Sequence, residues 1–361
     1  KLYSEIGKDY IGDEVKKLLI KNKINYSILR KKKITSNKKR VFIKEKQIFR
    51  QDIEDTINTP DVGKSLLKDI KPNDIVIISD YKKGVIYKKL HSEMIKKKCL
   101  TFIDPKNKPF FYKNAFLIKP NMTKFNEWCG KFNKKKAFDL LNQMKWNWLI
   151  ITDGKKGVHV LNADGEYRMY KVKSTQLNVN VIGAGDIFFS GLIYFYQRNY
   201  NIFDACLLAS HASTNCVQKP GVRYVEKKDF IPTTIFTNGV FDILHSGHLK
   251  LLRFSKKLGK ELIVGLNSDK STKILKGIDR PFNSIKLRIK NLKETKLVNK
   301  IYVFKEITPL KLIKKIQPDI IVKGSDYRYK DVVGSKIANI ILFKKKDSLS
   351  TTKILKKINK N

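Results

Sequence analysis

Cysteine is scarce in this chain of 361 residues. Only Cys99, Cys129, Cys206 and Cys216 occur, far apart and with no C-x-x-C pair. That argues against a disulfide framework and against a zinc site, and it fits reduced thiols in a cytoplasmic protein. Acidic residues are few as well: 33 Asp+Glu stand against 76 Lys+Arg, a formal net charge of +43. No stretch approaches about 18 consecutive apolar residues, so no membrane-spanning helix and no membrane partner are expected. The first residue is Lys1 rather than Met, and no secretory signal pattern follows it. The sequence therefore reads as a fragment, or as starting inside a longer reading frame.

Arginine is the third shortage, with only ten of the 76 basic residues. Lysine, asparagine and isoleucine are plentiful, and all three have AT-rich codons. The lysines run from Lys1 to Lys360 without gathering on one segment. Mutational bias accounts for this spread better than a nucleic-acid surface, which needs a clustered patch or interleaved aromatics. No specific nucleic-acid partner is expected. What remains is an ordinary globular composition, 42% hydrophobic and 30% charged. At roughly 150 residues per domain it has length for two domains.

Short apolar runs alternate with helical-period segments. DIVIISD (74–80), CLTFIDPK (99–106), AFLIKPN (115–121), WNWLIITDG (146–154) and GVHVLNADGEYRMY (157–170) read as strands, several ending in polar residues. YKKLHSEMIKKK (87–98) and KAFDLLNQMKW (136–146) read as amphipathic helices between them. This alternation predicts an α/β protein with a parallel sheet and ligands at the carboxyl edge. KKRVFIKEKQIFRQD (38–52) alternates with period two and predicts antiparallel strands. Near Phe230 the pattern restarts with TTIFTNGVFD (233–242), ELIVGLNSD (261–269), KIYVFKE (300–306), PDIIVKGSDY (318–327) and ANIILFKK (338–345). Two domains are therefore expected, 1–230 and a smaller doubly wound 231–361.

Two constellations carry chemistry. VIGAGDIFFSGLIYFY (181–196) is a Gly-rich turn entering an apolar helix. Gly183, Ala184 and Gly185 let backbone N–H groups approach a phosphate, and Asp186 could take a proton from an attacking hydroxyl. The plainer reading is a strand–turn–helix with an Asp cap. FTNGVFDILHSGHLKLLRFSKKLG (236–259) holds the second, His245-x-Gly247-His248, after a strand ending at Thr237-Asn238-Gly239. Two imidazoles three residues apart at a helix start can donate to nucleotide phosphates. A metal pair or two surface histidines is the alternative, although no third ligand with zinc spacing is near.

In order and spacing, SDYKKG (79–84), IDPK (103–106), KPN (119–121), ITDGKKG (151–157) and the Gly183–Asp186 tetrad resemble the ribokinase-like sugar kinases. The His245–His248 stretch resembles the cytidylyltransferase-like nucleotidyltransferases. Its flanks LNSDKSTKILKGIDRP (266–281), VKGSDY (322–327) and LSTTKILKKI (349–358) narrow both halves to one family, the bifunctional heptose 7-phosphate kinase/heptose 1-phosphate adenylyltransferases. The resemblance implies a kinase base at Asp186 and an anion hole at Gly183–Gly185. It implies ATP contacts at Asn121, Met122, Thr123 and Lys124, and sugar contacts from Asp80, Lys83 and Lys106. For the second half it implies His245 and His248 on the ATP phosphates, with Ser350, Thr351 and Thr352 capping a phosphate-facing helix. Thr237, Asn238, Gly239, Phe241, Asp242, Asn267, Asp269 and Asp326 are implied around that nucleotide, and Lys276, Arg280 and Arg288 around the substrate. For Lys276 and Arg288 a solvated basic face is an equal reading.

ATP as substrate, Mg²⁺, sugar phosphates and a homodimer are the implied partners, and ADP-heptose for lipopolysaccharide core synthesis the implied product. A CTP-using sugar- or polyol-phosphate nucleotidyltransferase and a basic nucleic-acid-binding protein are the alternatives. The kinase half departs from the family pattern. Its N-terminal sugar-contacting segment is absent, Lys124 stands where a metal-organising carboxylate is expected, and Asn180 and Ile182 precede the tetrad in place of an acidic residue and Thr. Reduced kinase activity is the expectation.

Overall fold

A computed structural model describes residues 1–32, 34–43, 46–54, 61–171, 183–217 and 231–343. The chain divides into two compact units, Lys1–Val181 and Ile182–Asn361. The sequence-based boundary at Phe230 falls outside the described residues.

The first unit runs β1 (Leu2–Gly7), α1 (Tyr10–Lys21), β2 (Tyr26–Lys32), β3 (Asn37–Ile43), β4 (Lys46–Ile53), α2 (Asp61–Asp69), β5 (Ile75–Ser79), α3 (Lys88–Lys96), β6 (Leu100–Asp104), β7 (Leu117–Ile118), α4 (Met122–Cys129), α5 (Lys134–Met144), β8 (Trp148–Thr152), β9 (Val158–Asn162) and β10 (Tyr167–Tyr170). β1 and β2 pair in parallel, and β3 and β4 form the expected antiparallel hairpin. The main sheet has the order β10-β9-β8-β7-β6-β5. β5 to β8 are parallel because helices or a long connection cross over between them.

The expected parallel sheet carries an antiparallel far edge, where β8-β9 and β9-β10 are antiparallel. The turn after β8 is far too short for a crossover. Gly157 makes that turn at φ +114°, and a Cβ there would lie 1.9 Å from the Tyr170 carbonyl oxygen. The strand expected over 115–121 shrinks to two residues, since Pro120 has no N–H and Asn121 caps α4. The core gathers Leu90, Met94, Ile103, Tyr112, Phe125, Leu141, Trp146 and Leu149 between sheet and helices.

The second unit runs α6 (Ala184–Tyr196), α7 (Ile202–Val217), β11 (Thr234–Gly239), α8 (Ser246–Leu258), β12 (Glu261–Asn267), α9 (Asp269–Lys276), α10 (Ile285–Glu294), β13 (Lys300–Phe304), α11 (Leu310–Ile316), β14 (Ile320–Gly324) and β15 (Asn339–Phe343). α6 and α7 bury apolar side chains along their length, among them Phe188, Leu192, Cys206 and Leu208. The five strands are all parallel in the order β13-β12-β11-β14-β15. The chain grows outward from β11 in one direction and then returns to its other side. The switch point therefore lies between the carboxyl ends of β11 and β14, where such sheets bind ligands. Asp319 pins the opposite ends of these two strands, accepting from the N–H groups of Thr233 and Thr234 at 3.1 and 3.0 Å.

Among the described residues no helix is long and apolar enough to cross a membrane.

Candidate functional site

β11 is apolar and buried through Ile235 and Phe236, then turns polar at Thr237-Asn238-Gly239, where it reaches the carboxyl edge. His245 caps α8 in extended conformation, and its Nδ1 accepts from the Gly247 N–H at 3.1 Å. In the neutral ring that bond leaves the proton on Nε2. The His245 and His248 rings stack with centroids 3.8 Å apart, and the Phe241 ring lies 5.1 Å from His248. Phe241 is buried at φ +46°, a conformation costly for a bulky residue, so surrounding packing holds the loop in place. The two imidazoles thus converge at the N-terminus of α8, where unsatisfied N–H groups already favour an anion.

A hydrogen-bonded collar backs this loop. The carboxylate of Asp242 is buried and accepts from Arg280 Nε at 2.9 Å and from the N–H groups of Phe282 and Asn283 at 3.0 and 2.9 Å. Arg280 Nη2 lies 2.7 Å from the same carboxylate. Arg288 is 0% exposed, so the solvated-face reading is excluded for it. Its Nη1 donates to the carbonyls of Val240 and Asn267 at 2.8 and 2.9 Å, its Nε to that of Asn283 at 3.1 Å, and its Nη2 meets Asp269 at 2.5 Å. Asp242, Asn267, Asp269, Arg280 and Arg288, expected around nucleotide and substrate, are therefore brought together as one network. Lys276 ends α9 on the surface, and Asp326 is exposed. Ser350, Thr351 and Thr352 lie outside the described residues.

Sequence reasoning missed Lys323. Its ammonium donates to the Asn238 carbonyl at 2.9 Å and sits 5.2 Å from the Tyr327 ring. Desolvation lowers its pKa to about 8. The only signal was its place in VKGSDY, just beyond a buried apolar run.

In the first unit, Asp80 follows β5 and is buried. It accepts from the Lys82 N–H at 2.7 Å, from Asn107 at 2.8 Å and from the Tyr112 hydroxyl. Burial, then this bond, push the Tyr112 phenol well above its ordinary range. Lys83 pairs with Glu54, and Lys106 is exposed. Asn121 caps α4 by accepting from the Lys124 N–H at 2.7 Å, with Met122 and Thr123 in the first turn. The Lys124 ammonium pairs with Glu127 at 2.6 Å. In the second unit Gly183 takes φ +79° and opens α6, placing Ala184, Gly185 and exposed Asp186 in its first turn. Ser213 of α7 donates to the Ala184 carbonyl at 2.9 Å. Asn180 and Ile182 lie outside the described residues.

Residues 1–229 match the pfkB family of carbohydrate kinases, and residues 236–357 the cytidylyltransferase-like family. Ribokinase from Giardia lamblia superposes with a TM-score of 0.52 at 15% identity, covering 60% of this chain and 77% of that one. Phosphofructokinase-2 from Escherichia coli, solved with potassium, gives 0.55 at 17% identity, covering 63% and 78%. The protein is a bifunctional transferase, a carbohydrate kinase fused to a nucleotidyltransferase. The bifunctional protein HldE of Nitratiruptor sp. is 31% identical over 99% of this chain and 86% of its own length. That of Campylobacter fetus is 33% identical over 98% and 86%, and that of Haemophilus influenzae 31% over 98% and 84%. The chain belongs to the HldE family.

Proposed function

We propose that the second unit transfers the adenylyl group of ATP to heptose 1-phosphate, releasing pyrophosphate and forming ADP-heptose for lipopolysaccharide core synthesis. The observation that carries this reading is the stacked pair His245 and His248 at the N-terminus of α8, beside the sheet's switch point. The imidazole N–H groups stabilise charge that builds on the α-phosphoryl oxygens as the sugar phosphate attacks. The collar of Asp242, Arg280 and Arg288 holds the loop carrying them, so little reorganisation accompanies the reaction. Ser350, Thr351 and Thr352 complete the phosphate contacts in this reading, with Lys276 and Asp326 at the periphery.

The kinase reading is that residues 1–230 phosphorylate D-glycero-D-manno-heptose 7-phosphate at C1. Asp186 takes the hydroxyl proton and the Gly183–Gly185 turn receives phosphate oxygens. Asn121 to Lys124 lie near ATP, and Asp80, Lys83 and Lys106 near the sugar. Among the described residues no three His, Cys, Asp or Glu side chains converge as a metal cage. Mg²⁺ would enter with the phosphates of ATP, as is usual for that ion. The chain works as a cytoplasmic homodimer.

The test is product formation from heptose 1-phosphate with ATP and with CTP, side by side. ADP-heptose formed faster with ATP supports the reading. Faster turnover with CTP moves the protein to the cytidylyltransferases.

A further inference from the structure

The ladder between β11 and β12 runs to the last residue of β11, pairing Gly239 with Leu266. The ladder between β11 and β14 holds only two rungs, Ile235 with Ile320 and Phe236 with Ile321. Beyond Phe236 these two strands separate at their carboxyl ends, which opens the crevice of the switch point. Lys323 stands in that opening, and its ammonium reaches across to the Asn238 carbonyl.

An ammonium carries three donors. One goes to Asn238, the Tyr327 ring offers a weak cation–π contact, and among the described residues no carboxylate pairs with Lys323. Holding a half-buried cation without a counter-charge costs free energy that an incoming anion would offset. The carboxyl end of β11 carries two further unsatisfied polar atoms. Thr237 Oγ1 and Asn238 Oδ1 are buried with no hydrogen-bond partner among the described residues, a condition that native structures tolerate where a ligand supplies one.

We propose that Lys323 binds a phosphate oxygen of the reacting molecules in the crevice between β11 and β14, as a catalytic residue of the nucleotidyl transfer. The inference rests on the adenylyltransferase reading for the identity of that anion, either the phosphate chain of ATP or the sugar 1-phosphate. The low pKa of the ammonium fits, since the same desolvation that lowers it strengthens its attraction for an anion.

The full chain is labelled with an amine-acylating reagent at pH 8 and the lysines are mapped by mass spectrometry, alone, with ATP, and with mannose 1-phosphate. Loss of labelling at Lys323 with ATP alone assigns it to the nucleotide. Loss with mannose 1-phosphate alone assigns it to the sugar phosphate. Labelling unchanged by either overturns the proposal. In parallel, Lys323→Met, checked by its melting temperature, should lower kcat/KM for adenylyl transfer by about 10²-fold. A folded variant within about twofold of the parent overturns the proposal as well. A parent protein that makes no nucleotide sugar at all would instead refute the adenylyltransferase reading, and ATP protection would still decide whether Lys323 binds phosphate.

Discussion

Asp242 and Arg280 stand 38 positions apart in the chain, yet their side chains meet at 2.7 Å with the carboxylate buried. This pair, and Arg288 behind it, joins the loop that presents the histidines to the loop after α9. Removing one partner of a buried pair leaves the other charge unsatisfied, at a cost of about 3–5 kcal/mol. Asp242→Ala and Arg288→Ala should each destabilise the second unit by an amount in that range and raise KM for ATP. Arg288→Lys should fail to restore stability, because one ammonium cannot serve four acceptors in different directions. Chemical denaturation followed by circular dichroism is the check. Full stability in Arg288→Lys would contradict the clamp.

The stacked histidines make a prediction on rate rather than stability. His245→Ala and His248→Ala should each lower kcat of adenylyl transfer by about 10² or more, as for loss of one preorganised donor. His245→Ala additionally removes the cap bond to Gly247, so its melting temperature should fall somewhat further. Near-normal ADP-heptose formation by both variants would refute the assignment.

For the kinase half, the ion pair of Lys124 with Glu127 places a cation in the first turn of α4, among the residues expected near ATP. Each unit charge at about 4 Å changes an interaction by roughly 4 kcal/mol at an effective dielectric near 20, before solvent screening. Kinase turnover at least about tenfold below adenylyl transfer is expected, with partial recovery at most in Lys124→Glu. Heptose 1,7-bisphosphate formation at saturating Mg²⁺ and ATP measures it. A rate equal to the second reaction, abolished in Asp186→Asn, would show that Lys124 is no obstacle.

His91 on α3 predicts a pH dependence. It is buried beside Tyr112 with no partner for Nε2 among the described residues, and desolvation lowers its pKa from 6.5 to about 4. The unfolded chain therefore binds the proton more readily than the folded one. Its contribution to stability is intact above about pH 6.5 and is lost as the pH falls toward 4, amounting to about 3 kcal/mol. All three tryptophans, Trp128, Trp146 and Trp148, lie in the same unit, so their fluorescence reports its unfolding. His91→Leu should flatten the loss between pH 6.5 and 4. An unchanged slope would refute the role.

Much of the architecture was legible in the residues themselves. Apolar runs ending in polar residues marked the strands and their carboxyl edges, because a buried strand needs continuous apolar side chains while a ligand needs polar ones at its end. The spacing of His245 and His248 settled that both imidazoles share one face of a helix start, since residues three apart lie side by side there. Chain order alone could not decide which strands were neighbours, and the antiparallel edge at β9 and β10 followed from a short turn that Gly157 permits. Nor could it distinguish Arg288 as a buried clamp from Arg288 on a wet surface. A guanidinium shows its residue type in the sequence, but its partners at Val240, Asn267, Asp269 and Asn283 come together only when β11, β12 and two loops are stacked. Lys323 is the same case: its meaning depends on β14 lying beside β11 and parting from it three residues before either strand ends, and that separation is a property of the folded sheet alone.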